Sequence, residues 1–336
     1  MSDLGHDAPP EAAGNRRHAW SRRKVLGLGL GIPIALAGGI TGIELSRRQE
    51  DQGGILLGPP LSTFSGRCTT DPPYRRIGRG VTYTGQFFSR ARNRQVGYTL
   101  AYPPGYVRGD VLPLLVYLHP YGGSHASLFG GYPLATALSL GHDGNTIHPM
   151  AMVCADGGDG YWHPRPGDDP MAMVVEELIP MCQRIGLGHS RPVLVTGIAM
   201  GGYGAILFAE EHPELFAAAA AISPSIWPDY HAARKADPSA FTSRAQFDRY
   251  DVIRHAGALA GKPLRVVQHT GDAFARGVAD FARACPRPAD VAVLSGPAGT
   301  AFFTEQAWPT LRFLSELVPA AAPRLPAYLS CTHGSA

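Results

Sequence analysis

Charge is scarce in this chain and nearly balanced. Asp, Glu, Lys and Arg make up 17% of 336 residues and leave a formal net charge of +3. Five basic groups (Arg16, Arg17, Arg22, Arg23, Lys24) and three acidic ones (Asp3, Asp7, Glu11) fall within residues 1–43, so the rest is close to neutral. A nucleic-acid face needs clustered Lys and Arg; no cluster follows the N-terminal segment, which excludes nucleic acid as a partner. Cysteine is also sparse. The five, at 68, 154, 182, 285 and 331, cannot all pair, and their spacing fits neither a zinc site nor a dense disulfide framework. One or two disulfides remain open, and Cys154, inside the apolar run Met150 to Ala155, reads as a buried core thiol. Thirteen histidines include no H-E-x-x-H or comparable ligand set, so neither a metal nor a cofactor is expected. There is no internal repeat.

What is present is ample core material, with 45% hydrophobic residues, and frequent punctuation by 41 Gly and 30 Pro. The N-terminus carries Ser21-Arg22-Arg23-Lys24-Val25-Leu26 and a mild apolar run from Val25 to Ile43, a pattern of twin-arginine export signals. An uncleaved membrane anchor is the alternative, since about 19 residues nearly span a hydrocarbon core of ~30 Å. Either way, membrane contact is expected only through this segment. The organisation expected is a signal or anchor at 1–45, a polar linker at 46–76, one domain at 77–318 and a Pro/Ala-rich tail at 319–336.

Within the domain, Val81 to Ser89 and Gln95 to Tyr102 read as an antiparallel hairpin. Apolar runs at Leu112 to Leu118, Met150 to Ala155, Pro192 to Thr196, Phe216 to Ile222, Leu264 to His269 and Asp290 to Leu294 then read as strands. They alternate with helical patterns at Ser127 to Leu140, Met171 to Ile185, Ala205 to Glu211, Phe274 to Ala284 and Phe302 to Val318. This order implies an α/β fold with a mainly parallel central sheet, helices on both faces and an N-terminal antiparallel hairpin. Residues 228–260 are polar and irregular and fall where such folds carry an insertion or lid.

The centre of the pattern is Gly197-Ile198-Ala199-Met200-Gly201-Gly202-Tyr203-Gly204, a strand, a glycine-rich turn and a helix start. In G-x-S-x-G elbows this frame lifts a serine above the sheet. Here the serine position holds Ala199. Leu112 to Leu118 delivers a second loop, His119-Pro120-Tyr121-Gly122-Gly123, with the geometry of an oxyanion loop, although Pro120 has no N–H to give.

Together with Glu177-Leu178-Ile179-Pro180, His212-Pro213-Glu214-Leu215-Phe216 and Ser223-Pro224-Ser225-Ile226-Trp227, the elbow resembles the exported esterase family of the α/β-hydrolase fold that includes mycolyltransferases and esterase D. The likeness runs from about residue 80 to 316. It implies an acid at Asp272, in Gly271-Asp272-Ala273-Phe274, and places the family's histidine at Ala298. The implied triad is therefore Ala199, Asp272, Ala298. Met200, Tyr121 and Gly122 would supply oxyanion or ligand-pocket contacts, with Trp162 beside them; Tyr161, Trp162 and His163 either line a ligand cleft or pack beneath the helix that starts near Pro170.

Alanine supplies neither an attacking oxygen nor a proton shuttle, so no acyl-enzyme forms by that route. The expectation is a binding protein for an envelope glycolipid, carbohydrate or protein. The alternative is an active carboxylesterase or acyltransferase with relocated groups. His269, Ser223, Ser225, Ser295 and Thr300 are the residues that could substitute, and turn or cap roles are the simpler reading of each.

Overall fold

The structure is a computed structural model and describes residues 80–128, 147–286 and 289–319. The signal or anchor expected at 1–45, the linker expected at 46–76, Cys68, Cys331, nearly all of the helix expected at Ser127 to Leu140, and the tail expected at 319–336, apart from residue 319, lie outside the described residues.

Eight strands form one sheet: β1 (Thr82–Ser89), β2 (Arg94–Ala101), β3 (Leu114–Leu118), β4 (Ala151–Ala155), β5 (Val193–Ile198), β6 (Phe216–Ile222), β7 (Leu264–His269) and β8 (Asp290–Leu294). Their spatial order is β1-β2-β4-β3-β5-β6-β7-β8. β1 pairs antiparallel with β2 and β2 with β4, while every pair from β4 to β8 is parallel. The expected hairpin and parallel sheet are therefore present, and observed strand ends fall within two residues of those read from the apolar runs.

Seven helices among the described residues are labelled here. α1 has three parts, Pro170–Ala172, Met173–Leu178 and Ile179–Gln183. Then come α2 (Met200–Glu211), α3 (Tyr230–Ala236), α4 (Arg244–Arg249), α5 (Val252–His255), α6 (Ala275–Ala284) and α7 (Thr300–Glu316). α1 departs from the single α-helix expected over Met171 to Ile185. Its middle turn is a π-helix in which the N–H of Ile179 reaches back to Val174 O. Pro180 follows directly; it has no N–H, and its ring crowds the carbonyl four residues back, so widening the preceding turn accommodates it. Asp169 caps the start, accepting the Ala172 N–H at 2.8 Å.

Alternation along each strand divides the core in two. Val116, Val195, Ala219, Ala221 and Val266 face α1, α2 and α6, whereas Leu115, Leu194, Ala218, Ala220 and Val267 face α7. β6 reads Phe-Ala-Ala-Ala-Ala-Ala-Ile, a poor strand by propensity. Its place between two helical layers overrides propensity, because methyl side chains let both layers approach closely.

Candidate active-site edge

The parallel strands end at one edge, where ligands of open α/β sheets bind. Ala199 sits there, between β5 and α2, with φ 52° and ψ −115°. A residue with a Cβ avoids this combination, at a cost on the order of 1–3 kcal/mol. Surrounding hydrogen bonds over-determine it: Ala199 N–H donates to Ile222 O at 3.0 Å, and Ala199 O accepts from the N–H groups of Tyr203 and Ser225, each at 3.0 Å. Two glycines make the bend possible. A Cβ on Gly197 would fall on the Gly201 carbonyl, and a Cβ on Gly201 would fall on the Leu118 carbonyl at the end of β3. The second contact presses the β3 loop against the start of α2.

That loop turns at Pro120–Gly123, closed by Gly123 N–H to Pro120 O at 3.0 Å, with Gly122 at φ 69°. The Gly122 N–H donates to Asp159 Oδ1 at 2.6 Å. Of the two loop amides expected to face a ligand, one is therefore occupied from within. The N–H of Tyr121, whose side chain is 55% exposed, is the other, beside that of Met200, the first residue of α2. The first N–H groups of a helix have no intrahelical acceptor.

His119 anchors the same loop. Its ring is fully buried, with Nε2 accepting the Gly157 N–H at 2.9 Å and Nδ1 donating to Pro120 O at 2.8 Å. Burial pushes its pKa down, so it stays neutral. Trp162, at φ 61°, is also fully buried; its indole N–H donates to His119 O at 3.2 Å, and its ring lies where a Cβ on Gly204 would go. Trp162 thus reaches the site through the loop it holds rather than through an open surface.

Asp272 follows β7. Its Oδ1 accepts the Phe274 N–H at 2.9 Å and its carbonyl accepts from Ala275, so the carboxylate closes the turn that leads into α6. His269, three residues earlier, holds the neighbouring loop: Nε2 donates to Gly296 O at 2.9 Å while Nδ1 accepts the Gly271 N–H at 3.1 Å. Both ring nitrogens are thus engaged by backbone, so His269 holds this loop in place. Ala298 lies exposed on the loop that leads through Gly299, at φ 64°, into α7. Ser223, at φ 46°, and Ser225 are buried at the end of β6.

Reading the sequence singled out the elbow, the loop glycines and Asp272, left His163 between cleft and core, and missed Asp159. Both belong to the glycine-rich run after β4, where the tertiary partners are 37 and 77 residues away. Two hollows of about 430 and 410 Å³, lined in part by Arg191, Phe216 and Lys262 and by Lys262 and Phe313, lie at the opposite ends of the strands, away from the elbow.

The sequence model of the Esterase family matches residues 89–273, more than half the chain and including the elbow and Asp272. No curated protein matches the chain. Among solved structures, a ferulic acid esterase superposes with TM-score 0.63 at 16% identity, covering 71% of this chain and 98% of that one. An S-formylglutathione hydrolase from Agrobacterium tumefaciens superposes with TM-score 0.58 at 19% identity, covering 70% and 95%. FphF, a fluorophosphonate-binding serine hydrolase of Staphylococcus aureus, gives TM-score 0.58 at 16% identity, covering 71% and 99%. At these identities the likeness establishes the α/β fold of esterases and hydrolases, with the antiparallel hairpin at its start.

Proposed function

Because the chain belongs to the Esterase family, we propose that it works as an esterase-like α/β hydrolase that binds its ligand without acyl transfer. The observation that carries this reading is Ala199, a methyl group at the apex of a turn whose strained backbone is intact. Ala298 supports it, since no imidazole stands on the loop before α7, and the nearby His269 has both nitrogens committed. Losing nucleophile and base together costs about as much as losing either alone, on the order of 10⁶ in turnover. Binding needs neither group. The Met200 and Tyr121 N–H groups remain as donors for a carbonyl or hydroxyl oxygen, which suits an envelope glycolipid, a carbohydrate or an envelope protein. Export by the twin-arginine route, through Arg22 and Arg23, would put the domain where such ligands are.

An active carboxylesterase or acyltransferase with a displaced nucleophile is the second reading, favoured by the family match itself. Ser223, with its buried hydroxyl lacking a partner, is the residue it would use. One experiment separates the two. The purified full chain is incubated with a fluorophosphonate probe and with short p-nitrophenyl esters at pH 6 to 9. The binding reading expects no covalent label and no hydrolysis above buffer; a labelled serine mapped by mass spectrometry overturns it.

A further inference from the structure

The segment between β6 and β7, carrying α3, α4 and α5, is fastened to the loop before α1 by a cluster of contacts centred on one buried histidine, and to α2 by the Tyr203 hydroxyl, which donates to Tyr250 O at 2.6 Å. His163 is fully buried, and its ring is sandwiched face to face between two aromatic side chains of that segment. Phe241 stacks at 4.9 Å and 16°, Tyr250 at 5.1 Å and 8°. Nε2 donates to Ala240 O at 2.9 Å. Arg165, two residues on, donates to the same oxygen at 2.6 Å and to Ser239 O at 2.8 Å, and Gln246 returns a bond to Pro164 O at 3.0 Å. Beneath this, Tyr161 packs on Trp227 at 4.9 Å and on Phe241 at 6.3 Å, and it lies 6.4 Å from Tyr121 of the β3 loop. The fastened segment thus covers an aromatic wall that continues to the candidate site.

We propose that residues 229–255 form a lid over this edge of the sheet, latched by neutral His163 and released when His163 takes a proton from solvent. In the closed state the ring holds one proton, on Nε2, and needs no more. Nδ1 lies 3.3 Å from Pro164 O, a contact that a second proton would turn into a hydrogen bond. Stacking on two aromatic faces also favours a cation. Three things oppose it. Burial strips the ring of water, the Arg165 guanidinium shares its acceptor, and on the far side Arg249 lies 5.1 Å over the Tyr250 ring. The acidic groups nearby are already taken up. Asp237 of the lid accepts from the N–H and hydroxyl of Ser239 and faces Tyr161 and Arg165, Asp168 pairs with Arg92, and Glu211 pairs with Arg249. Asp248 of α4 is paired with Arg244. Burial wins, and the His163 pKa is pushed down to about 4. With the lid open the ring meets water and returns to about 6.5. Each pH unit between those values then raises the open fraction about tenfold, or roughly 300-fold across the span.

Hydrogen exchange on the full chain, corrected for intrinsic rates, tests this between pH 7.5 and 4. Amides of 239–250 are expected to lose protection about tenfold per pH unit below 6.5, while those of β5 and α2 hold. His163→Phe keeps both stacks and cannot titrate, so its profile is flat with pH. Arg165→Met serves if that variant does not fold. It removes the opposing cation, so the pH-dependent rise becomes smaller and saturates at higher pH. Unchanged slope in His163→Phe, unchanged saturation in Arg165→Met, or lid and core amides opening in parallel would each overturn the proposal.

Discussion

Gly122 donates its backbone N–H to the carboxylate of Asp159 across 2.6 Å, so the loop that should receive a ligand oxygen already holds an anion of its own. A hydrogen bond to a charged acceptor is worth about 1–3 kcal/mol, toward the low end at an exposed site. Asp159→Ala should speed hydrogen exchange at Gly122 about tenfold, and Asp159→Asn, which keeps an acceptor oxygen, should give a smaller increase. Equal rates in all three proteins would mean that the bond does not order the loop in solution.

The elbow's torsions make a prediction about stability that needs no ligand. Ala199 is held at φ 52° and ψ −115°, where glycine is at ease and alanine is not. Ala199→Gly should therefore raise the unfolding midpoint in urea, with a net gain of about 1 kcal/mol after the entropy of the extra glycine is subtracted. Ala199→Ser shares the strain and should leave stability unchanged within about 0.5 kcal/mol.

Restoring chemistry should take more than the serine. Ala199→Ser alone places a hydroxyl at the apex with no base beside it, and esterase turnover should stay at the level of the parent. The pair Ala199→Ser with Ala298→His should exceed both single variants, measured with p-nitrophenyl acetate, if residue 298 is the partner position. A double variant no better than the serine alone would move the histidine site elsewhere.

Gly201 should tolerate nothing larger. Its missing Cβ leaves room for the Leu118 carbonyl, which is backbone and cannot swing aside. Gly201→Ala should cost about 2–3 kcal/mol, by analogy with overpacked cores, and lower Tm by roughly 5–10 °C in calorimetry. A loss below 0.5 kcal/mol would show that β3 and α2 can separate freely.

Glu210 is a buried acid of α2 whose two oxygens have no hydrogen-bond partner. Burial, then Glu211 and Asp251, push its pKa up to about 10. An acid raised on folding binds a proton that the unfolded chain has lost, so its contribution is full below about 4.5 and declines as pH climbs toward 10. The decline is up to about 1.4 kcal/mol per pH unit. Glu210→Gln should thus gain on the parent as pH rises from 5.5 to 8.5 in urea unfolding. A gap that does not change with pH would place an ionised carboxylate at that position.

Much of this architecture could be read from the chain because apolar runs and glycine punctuation are local signals. β6, β7 and β8 matched their runs residue for residue, since each run is bounded by turn residues. Ala199 and its glycines were legible for the same reason. The π turn in α1 was less so: Pro180 signalled trouble, but only packing decides whether a helix kinks, breaks or widens. Trp162 and His163 were ambiguous in sequence because an aromatic beside glycines can line a cleft or fill a core. What decides is the partner, and Gly204, Phe241 and Tyr250 lie 42, 78 and 87 residues away.

The strand order also bears on how the protein is made. β3 lies between β4 and β5, so its second edge stays unpaired until residues 193–198 have been synthesised, and β8 at the far side closes later still. A chain emerging from its N-terminus therefore passes through a stage with an apolar strand open on one side, the kind of edge that recruits other chains. Folding of the sheet must wait for the elbow to leave the ribosome, which makes the turn a checkpoint in biosynthesis whether or not any chemistry takes place on it.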